Sequence, residues 1–387
     1  MAGFRVTQLD IPEGMIDLGV GQPSPALLPL ELMRTATAHR TALADPLPWL
    51  AYGVEQGNGW FRHALAQLLA REYAMPVVAD DLFVTNGASQ ALAMICALFT
   101  RPGDTIFVEE PSYFLALRVF ADYGLRVVGV AMDGEGMRMD ALADELQRHR
   151  PALIYTIPTF HNPSSVTLAA DRRERLVELA VRHGALVVAD EVYQLLGFGP
   201  PPPPPLAAWI ASDAVLSLGS FSKILAPGLR LGWIQAGPRA HERLVHNGLL
   251  DSGGGLAPFT SSMVQSALEL GLQAAHLVEL RRAYRDRATA LADALREHLP
   301  DEVDFAAPEG GFFVWLRLPE SLDARELLPV ARAQQVGFQP GVAFSSSGAL
   351  HHHARLCFAY YDEHELATGA IRLARVLKDE LAVRSGR

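Results

Sequence analysis

The sequence predicts an α/β fold, with a large domain built on a mostly parallel central sheet and a smaller α+β domain. Three observations predict it. Short apolar segments that read as strands alternate with segments of helical periodicity over most of the chain. The run Ala185-Leu186-Val187-Val188-Ala189 is apolar throughout and includes β-branched residues, the pattern of a parallel strand buried on both faces. Polar residues suited to chemistry, Asp190 and Lys223 among them, stand just after such runs, where α/β sheets place their ligands.

A chain of 387 residues, half of them hydrophobic, is long enough for a large core and about two domains. A net charge of −10 without a long basic run argues against nucleic-acid binding. No stretch reaches the ~20 uninterrupted apolar residues of a membrane span. Residues 1–17 lack the apolar run of a signal peptide. There are two cysteines, Cys96 and Cys357. Cys96 sits in an apolar helical segment, so a buried free thiol is expected, in keeping with a reducing cytoplasm.

In chain order, Gly19-Val20-Gly21-Gln22-Pro23 marks irregular backbone that could approach a ligand closely, or an ordinary turn. Residues 30–44 read as a helix. Tyr52 precedes a glycine-rich turn, and 60–73 show apolar positions at helical spacing, stopped by Pro76. Leu82–Thr85 reads as a strand. The turn 86–90 then opens a helix over 91–99. Free amides at that N-terminus, from Ala88 and Ser89, suit an anion such as phosphate, while Ser89 also reads as a common N-cap.

Residues 105–108 read as a strand with Tyr113 just beyond its end, where an aromatic could stack on a flat ring or simply pack. Strands are expected over 125–130 and 153–157, and helices over 140–147 and 172–183. Asn162 precedes a proline, a turn signal. His161 reads as structural or solvent-facing. Asp190 ends a buried strand, where a carboxylate is costly unless it meets a cation or donor. The six prolines 200–205 read as a stiff polyproline II connector at the surface.

The stretch 217–233 reads Ser-Leu-Gly-Ser-Phe-Ser-Lys-Ile-Leu-Ala-Pro-Gly-Leu-Arg-Leu-Gly-Trp. Lys223 follows the strand expected over 214–218 and is enclosed by small and apolar residues. Desolvation and a nearby cation favour its neutral amine, which can form a Schiff base with an aldehyde. Arg230 supplies a planar fork suited to phosphate, and Ser220 and Ser222 supply hydroxyls. An amine beside a phosphate cradle points to a phosphorylated aldehyde, pyridoxal 5′-phosphate. Further on, 251–255 reads as a flexible loop, 274–299 as a long helix, and 310–316 as a strand. Three histidines, 351–353, read as a solvated loop rather than a metal site, because successive side chains in extended backbone point apart. Arg355 heads an apolar strand, and its fork fits a carboxylate.

Ser-x-Ser-Lys followed by Ala-Pro-Gly-Leu-Arg-Leu-Gly-Trp resembles the lysine signature of fold type I pyridoxal-phosphate-dependent aminotransferases. It is most similar to the group of kynurenine/2-aminoadipate aminotransferases and the C-terminal domains of MocR-type regulators. The resemblance runs from about Gly19 to Leu377 and includes Pro308 to Trp315. It implies a cofactor domain over 46–270 and a small domain from 1–45 and 271–387. It implies that Lys223 binds the cofactor and moves protons, that Asp190 pairs with the ring nitrogen, and that Tyr113 stacks on the ring. Asn162 and Tyr193 would bond the phenolic oxygen. Ala88, Ser89, Ser220, Ser222 and Arg230 would hold the phosphate, with Tyr52 reaching in from the other subunit of a homodimer. Arg355, Asn162 and Gly21 would face the substrate.

The implied reaction is ping-pong transfer of an amino group from an L-amino acid to a 2-oxo acid, with 2-oxoglutarate expected. Two departures stand out: Ala88 replaces a polar residue, and Asn-Pro-Ser-Ser replaces Asn-Pro-Thr-Gly. The alternatives are another reaction at Cα (lyase, decarboxylase or racemase), or a non-catalytic amino-acid-binding regulatory module. The acidic charge and the lack of a winged-helix region ahead of Gly19 argue against the regulator.

Overall fold

The computed structural model describes residues 11–45 and 47–385. The expected leader-free N-terminus therefore falls mostly outside the described residues, as does Pro46, the expected domain start.

Fourteen strands are formed by the described residues: β1 Ile16–Asp17, β2 Leu82–Thr85, β3 Thr105–Glu110, β4 Arg126–Asp133, β5 Gly136–Met137, β6 Leu153–Thr156 and β7 Leu186–Asp190, then β8 Val215–Ser220, β9 Gly232–Ala236, β10 Asp304–Phe305, β11 Phe313–Arg317, β12 Val336–Gly337, β13 Gln339–Pro340 and β14 His353–Cys357. Eight of them form one sheet in the order β2-β9-β8-β7-β6-β3-β4-β5. The pairs β3–β4, β3–β6, β6–β7 and β7–β8 are parallel, while β9 runs antiparallel to both neighbours. Val187, Val188 and Ala189 are fully buried at the centre, as expected of an apolar run covered on both faces. Non-consecutive neighbours require crossovers. The helices Ala88–Phe99, Met139–Arg148 and Ala170–His183 lie in those connections and cover the sheet.

A second, antiparallel sheet runs β10-β11-β14-β13, and β1 pairs with β12 in parallel. The 27-residue helix Leu272–His298 joins the two regions. From it Arg281 reaches Glu72 at 2.6 Å and the Leu195 carbonyl at 2.7 Å, and Arg287 donates to the Ala359 carbonyl at 2.7 Å.

Four local expectations are corrected. Residues 251–255 are not wholly loop: Gly248–Gly253 is helical, because the Asn247 side chain caps the Leu249 and Leu250 amides despite the glycines. The helix expected from Ala91 starts at Ala88. Its N-cap is Gly87, at φ +87°, so Ser89 lies inside the first turn and is not the cap. The histidines 351–353 are tied down rather than freely solvated. His351 lies 3.0 Å from Asp323, His352 donates to the Leu322 carbonyl at 2.8 Å, and His353 opens β14 and stacks on Trp315. Arg355 sits in the middle of β14, not at its head.

The proline run does pass over the surface, and it is anchored from beneath. The buried Arg173 guanidinium donates to the carbonyls of Pro204, Pro158 and Leu168 and to the Thr159 hydroxyl, at 2.7–3.0 Å. Gln194 donates to the Pro203 carbonyl at 3.0 Å.

Candidate active site

The C-terminal ends of β7 and β8, the start of the helix Ala88–Phe99 and the wall made by β13 and β14 enclose a cavity of about 1240 Å3. Twelve of the thirteen candidate residues line it; Tyr52 does not, and it is 88% exposed.

Asp190 is the last residue of β7, held beside β8 by the Asp190–Leu218 register. Tyr155 donates its phenol to Asp190 Oδ2 at 2.8 Å. The other oxygen, Oδ1, is buried with no partner. Burial pushes the carboxyl up to about 6, against the opposing effect of the Tyr155 hydrogen bond. Lys223 follows β8 and directs Nζ toward the Gly21 carbonyl at 3.3 Å, with the Phe312 ring 5.3 Å away. Burial lowers its ammonium to about 8. An amine made easier to deprotonate and an unsatisfied carboxylate oxygen therefore share one cavity.

Arg230 adopts a left-handed conformation, φ +46°, and donates to the carbonyls of Pro227 and Asn86 at 3.2 and 3.4 Å. A Cβ on Gly87 would lie 2.9 Å from its Nη2, so glycine is what admits the guanidinium to the helix N-terminus. The Ser220 hydroxyl accepts from the Ser222 amide at 3.1 Å. Ala88, Ser89, Ser220, Ser222 and Arg230 thus edge one end of the cavity. Tyr113 lies at the cavity wall, edge-on to Phe114, and Tyr193 packs against Phe312 and Phe313.

Arg355 is 2% exposed. It donates to Asn162 Oδ1 at 3.0 Å and to the Gly19 carbonyl at 2.7 Å, and its Nε is buried without a partner. The rings of Phe313 and Phe344 lie 4.3 and 5.0 Å from the guanidinium. A Cβ on Gly21 would sit 3.2 Å from Nη2, so the glycine keeps the approach open.

The loop carrying Asn162 keeps its turn despite the lost glycine. Ser165 takes φ +62° itself, at a cost of about 1–2 kcal/mol, and its hydroxyl bonds the Phe313 carbonyl. His161 is buried and structural, not solvent-facing. Its Nδ1 lies 2.9 Å from Ser164 Oγ and its Nε2 is 3.1 Å from the buried Glu109. Glu109 also accepts from Thr156 and the Ile157 amide at 2.7 and 2.8 Å.

Sequence reasoning missed Tyr155, Glu109 and the aromatic bed of Phe312, Phe313 and Phe344. The signal for Tyr155 was present: a phenol inside the buried strand 153–157 needs a partner, and the neighbouring strand ends in a carboxylate.

The cavity presents an unpartnered carboxylate oxygen on Asp190, the Lys223 amine and the Arg230 guanidinium, groups that can meet an N–H, an electrophile and an anion. Pyridoxal phosphate offers all three. The fold and the cavity define a fold type I pyridoxal-phosphate-dependent enzyme. The chain belongs to the aminotransferase class I and II family, whose model matches residues 13–373, and it is an aminotransferase. It is 36% identical over 374 residues, 95% of this chain and 89% of the relative, to aromatic-amino-acid aminotransferase 1 of Thermococcus litoralis. The solved multiple substrate aminotransferase of Thermococcus profundus superposes with a TM-score of 0.89 at 33% identity, covering 96% of this chain and 93% of that one. The α-aminoadipate aminotransferase LysN of Thermus thermophilus, solved with N-(5′-phosphopyridoxyl)-L-leucine, gives 0.86 at 33% identity, with 96% and 94% covered.

Proposed function

We propose that the enzyme takes the amino group of an L-amino acid and delivers it to 2-oxoglutarate. When bound, the cofactor supplies an aldehyde and an electron-accepting ring. Lys223 attaches it through Nζ and, once released, moves the proton at the substrate Cα as base and then acid. Asp190 Oδ1 holds the proton of the ring nitrogen. Asn162 Oδ1 is occupied by Arg355, which leaves its amide N–H2 to donate, with Tyr193, to the phenolic oxygen. Tyr113 stacks on the ring. Arg230, the serines 220 and 222, and the amides of Ala88 and Ser89 take the phosphate. Arg355 grips the α-carboxylate beside Gly21. The observation that carries this reading is the single cavity that gathers Lys223, Asp190, Arg230 and Arg355.

The described residues include no helix long and apolar enough to cross a membrane. With two buried free thiols, this supports action in the cytoplasm. The eight-stranded sheet falls within 82–236 and the four-stranded sheet within 304–357, which supports domains over 46–270 and over 1–45 with 271–387.

We also propose a homodimer. Tyr52, Trp60, Leu50, Val54 and Phe259 are exposed apolar residues. Bridges between Gly53 and Gly255 and between the rings of Trp49 and Phe259 hold their segments side by side. Such a patch suits a partner surface, and two-fold symmetry would deliver Tyr52 to the phosphate of each neighbour. A mixed dimer of Tyr52→Phe with Lys223→Ala tests it: action in trans leaves one intact site with wild-type cofactor affinity. Only Tyr52→Phe-like behaviour, or a fully active monomer in sedimentation, would refute it. For the reaction, amino donors are screened against 2-oxoglutarate with glutamate as readout. Cofactor binding with no donor yielding glutamate would overturn it.

A further inference from the structure

The two rings nearest the Arg355 guanidinium on either side of β14 are fastened alike. Phe313 lies 4.3 Å and Phe344 5.0 Å from it. Phe313 opens β11, and Phe344 stands between β13 and β14. Each has its carbonyl bonded from the region of the eight-stranded sheet. The amide of Ser112, just after β3, donates to the Phe344 carbonyl at 2.8 Å. The hydroxyl of Ser165, in the loop after β6, donates to the Phe313 carbonyl.

The two anchors differ in what supplies them. Ser112 uses its amide, which every residue but proline has. Ser165 uses its side chain, so this anchor needs a hydroxyl at that position. Its backbone, at φ +62°, lies in the left-handed region that glycine occupies without strain. Glycine would relax the turn and forfeit the bond. A residue held in a sparsely populated conformation points to a role for its side chain.

The neighbouring contacts show what the anchor adds. Residues 309–311 are tied through the backbone: the Phe198 amide donates to the Glu309 carbonyl at 2.8 Å, and the Gly311 amide to the Leu196 carbonyl at 3.0 Å. These ties lie ahead of β11. Within β11, Phe313 pairs with Cys357 and Trp315 with Arg355 itself. The Ser165 bond fixes β11 at its first residue, two positions from the register partner of Arg355. The same loop holds the guanidinium directly, since Asn162 Oδ1 accepts from Arg355 Nη1 at 3.0 Å. One short loop thus grips Arg355 through Asn162 and its aromatic bed through Ser165.

We propose that Ser165 is a positioning residue for carboxylate binding: by holding the Phe313 carbonyl it keeps β11 and the Phe313 ring docked, so that Arg355 is aimed before substrate arrives. This rests on the reading of Arg355 as the α-carboxylate residue. A pre-aimed guanidinium loses less binding free energy to ordering. Removing the anchor should therefore weaken substrate binding more than it slows the chemical step.

Ser165→Gly and Ser165→Ala test this together. Both lack the hydroxyl, and only glycine relaxes the backbone. Binding of 4-methylvalerate, a carboxylate that cannot react, to the holoenzyme is followed by calorimetry. Its Kd should rise about three- to tenfold in both variants, the range of one lost hydrogen bond. KM for the amino donor that wild type turns over fastest should rise likewise, with kcat within about twofold of wild type. Thermal melting should place Ser165→Gly above Ser165→Ala. A wild-type Kd in Ser165→Gly, or a Kd that follows the melting temperature instead of the hydroxyl, overturns the assignment. If Arg355→Gln binds 4-methylvalerate as well as wild type does, the reading of Arg355 fails, and hydrogen exchange still decides the anchor. Amides of 313–317 and 353–357 should then exchange faster in both Ser165 variants, and unchanged exchange overturns it.

Discussion

Asp190 and Glu191 are adjacent carboxylates at the end of one buried strand, and their surroundings are opposite. Asp190 faces the cavity with one oxygen bonded to Tyr155 and the other unpartnered. Glu191 turns toward the proline run. There it accepts from the Ser217 hydroxyl at 2.5 Å and from the amides of Leu206 and Ala207 at 2.6 and 3.4 Å, with Arg173 nearby. Burial raises both carboxyls. The difference is completion. The Glu191 cluster closes on itself and stabilises the fold, whereas the Asp190 cluster is left one donor short and so has room for a ligand that brings one.

The comparison can be broken at four places, beginning with the largest effect. Lys223→Ala should lower turnover by about 10⁴-fold or more, because among the described residues no other lysine lines the cavity. Borohydride-reducible cofactor attachment should vanish while circular dichroism stays native. Retained attachment with normal turnover would show that Lys223 is not the attachment point.

Asp190→Ala should lower turnover by about 10²–10³-fold at saturating cofactor, with a smaller loss of cofactor affinity. Near-normal kcat there would remove Asp190 from the chemistry. Glu191→Ala should do the reverse. It strands Ser217 and two amides and removes a compensating carboxylate from the buried Arg173 charge, and should cost about 3–5 kcal/mol in denaturant unfolding, with kcat reduced far less than in Asp190→Ala. Equal losses of kcat in the two variants would erase the distinction.

The smallest effect is in the cofactor-free protein. The Asp190 carboxyl is raised above its unfolded value, so its contribution to stability is full at low pH and is lost as pH rises through about 6. Asp190→Asn lacks this dependence. From about pH 4 to pH 7 the stability difference should therefore move in favour of the variant, by at most about 3 kcal/mol. A constant difference across that range would mean that Asp190 is not left unsatisfied in the apoprotein.

Much of the cavity was legible in the sequence because parallel strands deliver their ends to one edge. Asp190 ends β7, Lys223 follows β8, and both belong to runs whose apolar character needs no tertiary information. Arg355 was legible as a charge inside an apolar segment. The aromatic bed under Arg355 was not, since Phe313, Phe344 and Phe114 are far apart in sequence and meet only when the small sheet packs on the large one. Glu109 was hidden for a similar reason: Thr156, Ile157 and His161 come to it from a neighbouring strand and loop. The helix Gly248–Gly253 was obscured by glycines, whose weak helix propensity was overridden by the Asn247 cap.

The proline run has a consequence for how an arginine can be buried. Burial lowers the Arg173 guanidinium to about 10, so its N–H groups need acceptors close by. Ordinary peptide segments bring an amide donor with each carbonyl, and every such donor then needs a partner of its own. Proline contributes the carbonyl alone. Pro203 and Pro204 supply acceptors to Gln194 and Arg173 without adding a donor, on a backbone already stiff before folding. A repetitive stretch that looks like mere spacer thereby becomes a one-sided solvent, doing for a buried cation what a shell of oriented water does at the surface.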